Sequence, residues 1–365
     1  MINYKEEMKY KNILFLVPYP LHRAPSQRFR VELFFPILEQ NNIHYKVKSF
    51  IDEATWNILY QNGSTLQKVW GILKGFLRRI KTVLFTVPYY DYIFIHREAS
   101  PIGPPIFEWV ISKLWRKKII YDFDDAIWIP NTTKENKLVN WIKAFWKVKY
   151  ICKWAYKVVG GNDYLCNYAR KYNSNVILIP TCVDVVNQHI GLKDQRTSKV
   201  VIGWTGSHST MMFLNSILEV LQKITREFNT ETIIISNKAP QFHLDNMRFI
   251  PWNESSEIND LLQMNIGIMP LEDDPWCEGK CGFKLIQYLS LGIPAIASPI
   301  GVNKEIIEEG TNGSLCSTKE EWYNALSVLI RDEQLRVKMG IAGKEKVVAK
   351  YSLQANAGSF LGLFN

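Results

Sequence analysis

A chain of 365 residues, 47% apolar and 22% charged, with no low-complexity stretch, is a folded protein too long for one ordinary core, which excludes a disordered tail or a single small module. Its net charge of +9 is unevenly spread: residues 1–190 carry 27 lysines and arginines against 15 acidic residues, and the remainder 17 against 20. The surplus in the first half points to an anionic partner there, a membrane surface or a nucleic acid.

No segment reaches the roughly 18 apolar residues a membrane span needs, and the apolar run near the N-terminus is too short for a signal peptide, so a cytosolic location is expected. Cys152, Cys166, Cys182, Cys277, Cys281 and Cys316 are scattered, as reduced core thiols are, and no histidine stands near Cys277 and Cys281 to complete a zinc site.

In chain order, β-branched and largely unalternating runs predict strands at Asn12–Val17, Tyr45–Phe50, Tyr92–His96, Lys118–Asp122, Val158–Gly160 and Val176–Ile179. A polar link around Leu192–Ser198 follows. The pattern then restarts at Lys199–Trp204, Thr232–Ser236, Arg248–Ile250, Ile266–Pro270 and Ala295–Ser298. Two successive βα series predict an α/β chain of two Rossmann-like, doubly wound parallel-sheet domains facing a central cleft. The expected division is 1–190, 191–348, and a C-terminal helix in 349–365 that packs back on the first domain.

Ligands of such sheets sit beyond the carboxyl ends of the strands, so the strand-end loops hold the candidates. The first contains Arg23, Ser26, Gln27, Arg28 and Arg30, with Arg28 a candidate phosphate or acceptor contact and at least two of the three arginines expected to be solvated. Residues 67–87 place Val69, Ile72, Leu73, Phe76, Ile80 and Val83 on one helical face, flanked by Lys68, Lys74, Arg78 and Lys81. Such a helix lies in an anionic lipid interface or packs its stripe on the sheet. Trp141, Phe145, Trp146 and Trp154, interleaved with Lys143, Lys147, Lys149 and Lys153, have the same character. His96 ends a strand and is followed by Arg97, which turns its imidazole toward the cleft. In the run Asp122–Asp125, Asp124 and Asp125 suit acceptor hydroxyls, a basic partner or a helix cap better than a metal ion.

In the second half, Gly206, Ser207 and His208 follow the first strand, and Trp252 follows the third, where it stacks on a base or closes the rim of the domain. The strongest constellation is Glu278-Gly-Lys-Cys-Gly-Phe-Lys-Leu-Ile-Gln287. Its glycines admit close backbone approach, the helix starting near Gly282 points free N–H groups outward, and Lys280 and Lys284 add positive charge. Those features suit a diphosphate, with Phe283 contributing a backbone donor and Gln287 a side-chain one.

These residues resemble a known family. GKCGFKLIQYLSLGIPAIASPIGVN looks like the donor signature of the GT-B glycosyltransferases of family 4, and IGWTGSHST, IPTCVD and YDYIFIHREASP extend the likeness over most of the chain. The resemblance implies the GT-B architecture and a metal-independent, retaining transferase with no cofactor beyond its nucleotide-sugar donor. It implies catalytic roles for His96, Lys280 and Glu278, donor contacts from Gly206, Ser207, His208, Trp252, Lys280, Gly282, Phe283, Lys284 and Gln287, and acceptor contacts from Arg28, Arg97, Asp124 and Asp125. The chain departs from the pattern in three ways. Gln287 stands where many members have Glu, Gly279 occupies the first acidic position, leaving Glu278 one residue away, and the 206–210 loop lacks the usual Arg and Lys.

No Ser/His/Asp or Cys/His triad is evident along the sequence, which agrees with front-face transfer assisted by the departing phosphate. The expected activity is transfer of a hexose-type sugar to a hydroxyl of a lipid-linked or polysaccharide intermediate, at the inner face of the membrane. A nucleotide-sugar epimerase and a non-catalytic membrane scaffold are the alternatives; no base-reading motif supports nucleic acid.

Overall fold

The computed structural model describes residues 11–59, 63–130 and 142–365, so Trp141 lies outside the described residues. The chain divides into two compact units, one running to Ile179 and including Ala357–Asn365, the other spanning Pro180–Asn356.

The first unit is built on a six-stranded parallel sheet of β1 (Asn12–Val17), β2 (His44–Ser49), β3 (Tyr92–His96), β4 (Lys118–Phe123), β5 (Lys157–Gly160) and β6 (Val176–Leu178), in the order β2-β1-β3-β4-β5-β6. Both faces of its centre are covered: Ile13 to Val17 and Tyr92 to His96 are buried without interruption. This explains why the sequence shows solid apolar runs rather than alternation. The chain leaves β1 toward β2 and returns to β3 on the other side, so the loops after β1 and β3 diverge at the switch point of the sheet. The C-terminal residues finish this unit, with Phe360 stacked on Phe34 at 4.0 Å and Lys157 Nζ donating to the Gly362 carbonyl at 2.7 Å.

The second unit repeats the plan with β7 (Val200–Thr205), β8 (Thr230–Ser236), β9 (Met247–Pro251), β10 (Ile266–Met269), β11 (Ala295–Ala297) and β12 (Gly313–Leu315), ordered β12-β11-β10-β7-β8-β9, all parallel. Its switch point lies between β7 and β10. Strand β12 is absent from the sequence-based expectation because three residues directly after the Gly310–Asn312 turn carry too little pattern to show. Its closeness to β11 depends on Gly313, where a Cβ would stand 2.1 Å from the Ala295 carbonyl oxygen.

The helix Thr65–Phe85 turns an unexpected side inward. Gly71, Gly75, Arg79, Thr82 and Val83 are buried, the two glycines letting the backbone lie against Thr55 and Phe50. Arg79 donates to three carbonyls, Ala99 at 2.8 Å, Lys48 at 3.2 Å and Val17 at 3.1 Å, and burial lowers its pKa to about 9. The opposite side exposes Leu66, Trp70, Leu73, Leu77, Ile80 and Leu84, a stripe with alternating four- and three-residue steps, with the exposed Val69 beside it. Of the predicted stripe, Val69, Leu73 and Ile80 face solvent, Ile72 and Phe76 are half-buried, and Val83 packs inward.

Candidate active site

Two groups of side chains gather at the strand ends, one in each unit. In the first unit, β3 and β4 pair so that His96 lies directly beside Asp122. Parallel neighbours in register present their side chains to one face, and His96 Nδ1 meets Asp122 Oδ2 at 2.7 Å. The other ring nitrogen, Nε2, lies 2.9 Å from the hydroxyl of Ser26. Ser26 is carried by the short helix Pro25–Arg30, whose first-turn proline sets φ for helix entry directly after the β1 loop. Arg30, on the same helix, is 3% exposed and pairs with Asp122 and the Ile179 carbonyl.

Thus Ser26, His96 and Asp122 form a Ser–His–Asp chain that the sequence does not reveal, because its members lie 70 and 26 positions apart. The carboxylate can only accept, so the neutral ring carries its proton on Nδ1 and leaves Nε2 as an acceptor; the single proton of Ser26 is shared between that nitrogen and the Asp124 carboxylate, which the same hydroxyl also reaches. His96 itself is fully buried; its imidazole reaches the outside only through the half-buried Ser26.

Beside this chain, Arg97 adopts a left-handed backbone, φ +61°, and its guanidinium spans Asp124 at 2.8 Å and Asp125 at 2.7 Å. A non-glycine residue in that region is held there by its contacts. Burial pushes the Asp124 carboxyl up, but Arg97, then His96, the Ser26 hydroxyl and Arg30 outweigh it, leaving the group below the usual carboxylate range. Arg97 is raised despite burial by the same two aspartates. Of the predicted first-half residues, His96, Arg97, Asp124 and Asp125 are therefore brought together, while Arg28 lies on the same helix as Ser26 with its guanidinium 5.0 Å from the Phe29 ring.

In the second unit, β7 ends at Thr205, whose N–H donates to the Tyr288 hydroxyl at 2.9 Å. Gly206 follows, close against Trp204 and Lys284: a Cβ there would stand 2.7 Å from Lys284 Cε. The exposed Ser207 shares a hydrogen bond with Ser209 at 2.8 Å, and the His208 N–H is fixed by Asn237 at 2.9 Å. The helix Phe283–Ser290 begins at Gly282, which takes φ +65°, and its first turn directs Phe283 and Lys284 N–H groups away from the helix.

The two ammonium groups rest on aromatic faces. Lys280 Nζ is 3.4 Å from the Trp276 centroid and Lys284 Nζ is 5.5 Å from that of Trp204. Cation–π seating limits their wandering. Glu278 closes the four-residue helix Pro275–Glu278, capped by Asp274.

Gln287 is 2% exposed and donates to the Glu257 carboxylate at 3.2 Å, which also accepts from Trp252 Nε1 at 3.1 Å. Glu257, on a short helix after β9, shows no sequence signal beyond its charge. It explains how Trp252 is oriented, and it returns a carboxylate to the neighbourhood where residue 287 supplies an amide. Cys277 and Cys281 are buried free thiols, the former pushed up to about 12 by burial and by its hydrogen bond with Asp274. Among the described residues no group of three or more His, Cys, Asp or Glu side chains is placed to hold a metal ion.

Residues 234–346, which include the Lys280–Gln287 segment, match the family of glycosyl transferases group 1. Alpha-1,3/1,6-mannosyltransferase ALG2 of Dictyostelium discoideum is 25% identical over 278 residues, covering 74% of this chain; the matched region is 56% of that relative's length. Among solved structures, sucrose-phosphate synthase from Thermosynechococcus elongatus superposes with a TM-score of 0.68 at 15% identity, covering 97% of this chain and 98% of that one. Anabaena HepE in complex with UDP-glucose gives 0.69 at 14%, with 96% and 99% covered. The catalytic domain of starch synthase IV from Arabidopsis thaliana, bound to ADP and acarbose, gives 0.66 at 11%, with 97% and 98% covered. The chain has the two-unit α/β fold of the GT-B glycosyltransferases, and residues 234–346 of its second unit are similar to glycosyl transferases group 1.

Proposed function

We propose that this protein is a glycosyltransferase whose second unit binds a nucleoside-diphosphate sugar and whose first unit binds a hydroxyl acceptor in polysaccharide or glycolipid assembly. The observation that carries the reading is the convergence, at the switch point of the second sheet, of Gly206, the Gly282 helix start and the aromatic-seated Lys280 and Lys284. Departure of the diphosphate adds one negative charge to the two the donor already carries, and oriented N–H groups with two ammonium ions stabilise it without a bound metal. The resemblance supports retention of anomeric configuration. HepE binds UDP-glucose and starch synthase IV binds ADP, which supports a nucleoside diphosphate here.

Calorimetry against UDP, GDP, ADP and CMP, with and without magnesium, tests this directly. Selective binding of one nucleotide, unchanged by the ion, is expected. Lys280→Ala should weaken it by about 10- to 100-fold, the worth of a hydrogen bond to a charged group. Unaltered affinity would remove Lys280 from the site.

The exposed apolar stripe on Thr65–Phe85 supports peripheral docking on an anionic lipid surface. The helix bears five basic residues and no acidic one, and the nearby segment 142–154 exposes Ile142, Trp146 and Tyr150 among Lys143, Lys149 and Lys153. Lys147 does not share in it, since its ammonium is buried against the Ser100 carbonyl and Glu98. No helix among the described residues is long and apolar enough to cross a membrane. Co-sedimentation with phosphatidylglycerol vesicles is expected, and Leu73→Asp with Leu77→Asp should weaken it at least ~10-fold, because each replaces buried apolar area with repelled charge. Equal binding to neutral vesicles would overturn the electrostatic part.

A further inference from the structure

The buried position of His96 raises the question of which atom meets the acceptor. Both of its ring nitrogens are engaged, Nδ1 with Asp122 at 2.7 Å and Nε2 with Ser26 at 2.9 Å, and the ring has no exposure. The residue implied by family resemblance to act at the reacting centre therefore cannot touch a substrate directly. Ser26 is the member of the chain with solvent access, and its hydroxyl also hydrogen-bonds Asp124 beside the Arg97 cluster; an acceptor hydroxyl that takes its place on Asp124 leaves the serine proton to turn to His96 Nε2.

We infer that Ser26 is the catalytic hydroxyl of the first unit, an activated serine that takes the acceptor's proton and passes its own to His96. This rests on the glycosyltransferase reading for its substrate, but not for its chemistry. As the acceptor oxygen bonds to the anomeric carbon, the bond from that carbon to the phosphate oxygen breaks and the nucleoside diphosphate leaves with the electron pair. The acceptor proton moves to Ser26 Oγ while the Ser26 proton moves to His96 Nε2, whose positive charge Asp122 balances. Arg30, locked on Asp122 from behind, fixes the carboxylate as a hydrogen-bond acceptor. The arrangement repeats the logic of hydrolytic triads, in which a buried Asp sets the tautomer and orientation of the base, although here the serine relays a proton rather than retaining the sugar.

The same activation makes Ser26 a nucleophile toward small electrophiles, and this separates the inference from the reading beneath it. With diisopropyl fluorophosphate, a Ser26 Oγ–P bond would form, fluoride would leave, and the serine proton would pass to His96. Peptide mapping of the intact chain should find one adduct on Ser26, absent from Ser26→Ala and forming at least ~10-fold more slowly in His96→Asn and Asp122→Asn that keep the wild-type circular dichroism spectrum. No adduct on Ser26, or labelling of His96→Asn at the wild-type rate, overturns the inference. In transfer assays with the nucleotide sugar selected by calorimetry, Ser26→Ala should lower kcat by ~100-fold or more and leave the donor KM in place, while Ser26→Thr recovers part of the loss. A Ser26→Ala protein with wild-type kcat overturns it as well. A Ser26 adduct in a protein that turns over no donor would keep the activated serine and reject the sugar-transfer reading.

Discussion

Arg30→Leu should destabilise the first unit by about 3–5 kcal/mol, the largest single-residue effect expected outside the apolar core. The guanidinium is nearly inaccessible and is bound to Asp122 and to the Ile179 carbonyl at the end of the neighbouring strand segment. Removing it leaves a carboxylate in a dry environment with His96 as its remaining strong partner. The size of the effect comes from that stranded charge more than from the net value of the pair. The double variant Arg30→Leu, Asp122→Leu should therefore be less damaging than the sum of its parts. Urea unfolding followed by a probe in the first unit reads this, because two units need not unfold together. Additive losses would show that desolvation is not the governing cost.

Gly282→Ala should abolish most nucleotide binding without unfolding the protein. At φ +65° an L-residue costs about 1–2 kcal/mol. The added methyl would also stand 2.2 Å from Ile306 Cδ1 and 3.1 Å from Val302 Cγ1. Both neighbours are side-chain ends that can yield, so the fold survives. What moves is the start of the helix Phe283–Ser290, whose N–H groups face the donor phosphates in the proposed function, and a loss of at least ~10-fold in nucleotide affinity is expected. Gly310 serves as the control: it has φ +70° with nothing near its missing Cβ, so Gly310→Ala should lower the melting temperature slightly and leave calorimetric affinity unchanged. Equal affinity in the Gly282 variant would detach the helix start from the ligand.

Much of this architecture is legible in the sequence because parallel strands covered on both faces leave unbroken apolar runs. Asn12–Val17 and Tyr92–His96 stand where the pattern puts them. The Lys280–Gln287 constellation is equally visible, since its glycines, lysines and helix start are contiguous. The first-unit chain of hydrogen bonds is not visible in the same way. His96 and Asp122 become neighbours only through the register of β3 with β4, and Ser26 only through the path of the β1 loop. Adjacent strand ends imply the His–Asp pair, whereas the serine joins it only through the three-dimensional path of the β1 loop. Glu257 is harder still, for its meaning comes wholly from the buried amide of Gln287 and the indole of Trp252 that meet on it. The helix Thr65–Phe85 misleads for a different reason: its inward side is made of glycines and an arginine, which no hydrophobic count assigns to an interior.

That arginine also determines what sort of element the helix is. With its one side chain tethered to carbonyls from three separate strand ends or loops, and glycines seated on Thr55 and Phe50, the helix cannot roll about its axis to hide its leucines. It behaves as a keel fixed to the hull, fully formed and oriented before it meets any surface. Contact with lipid would then spend no free energy on ordering the segment, unlike a peptide that coils only upon arrival. The approach angle of the whole first unit would be set by the fold itself.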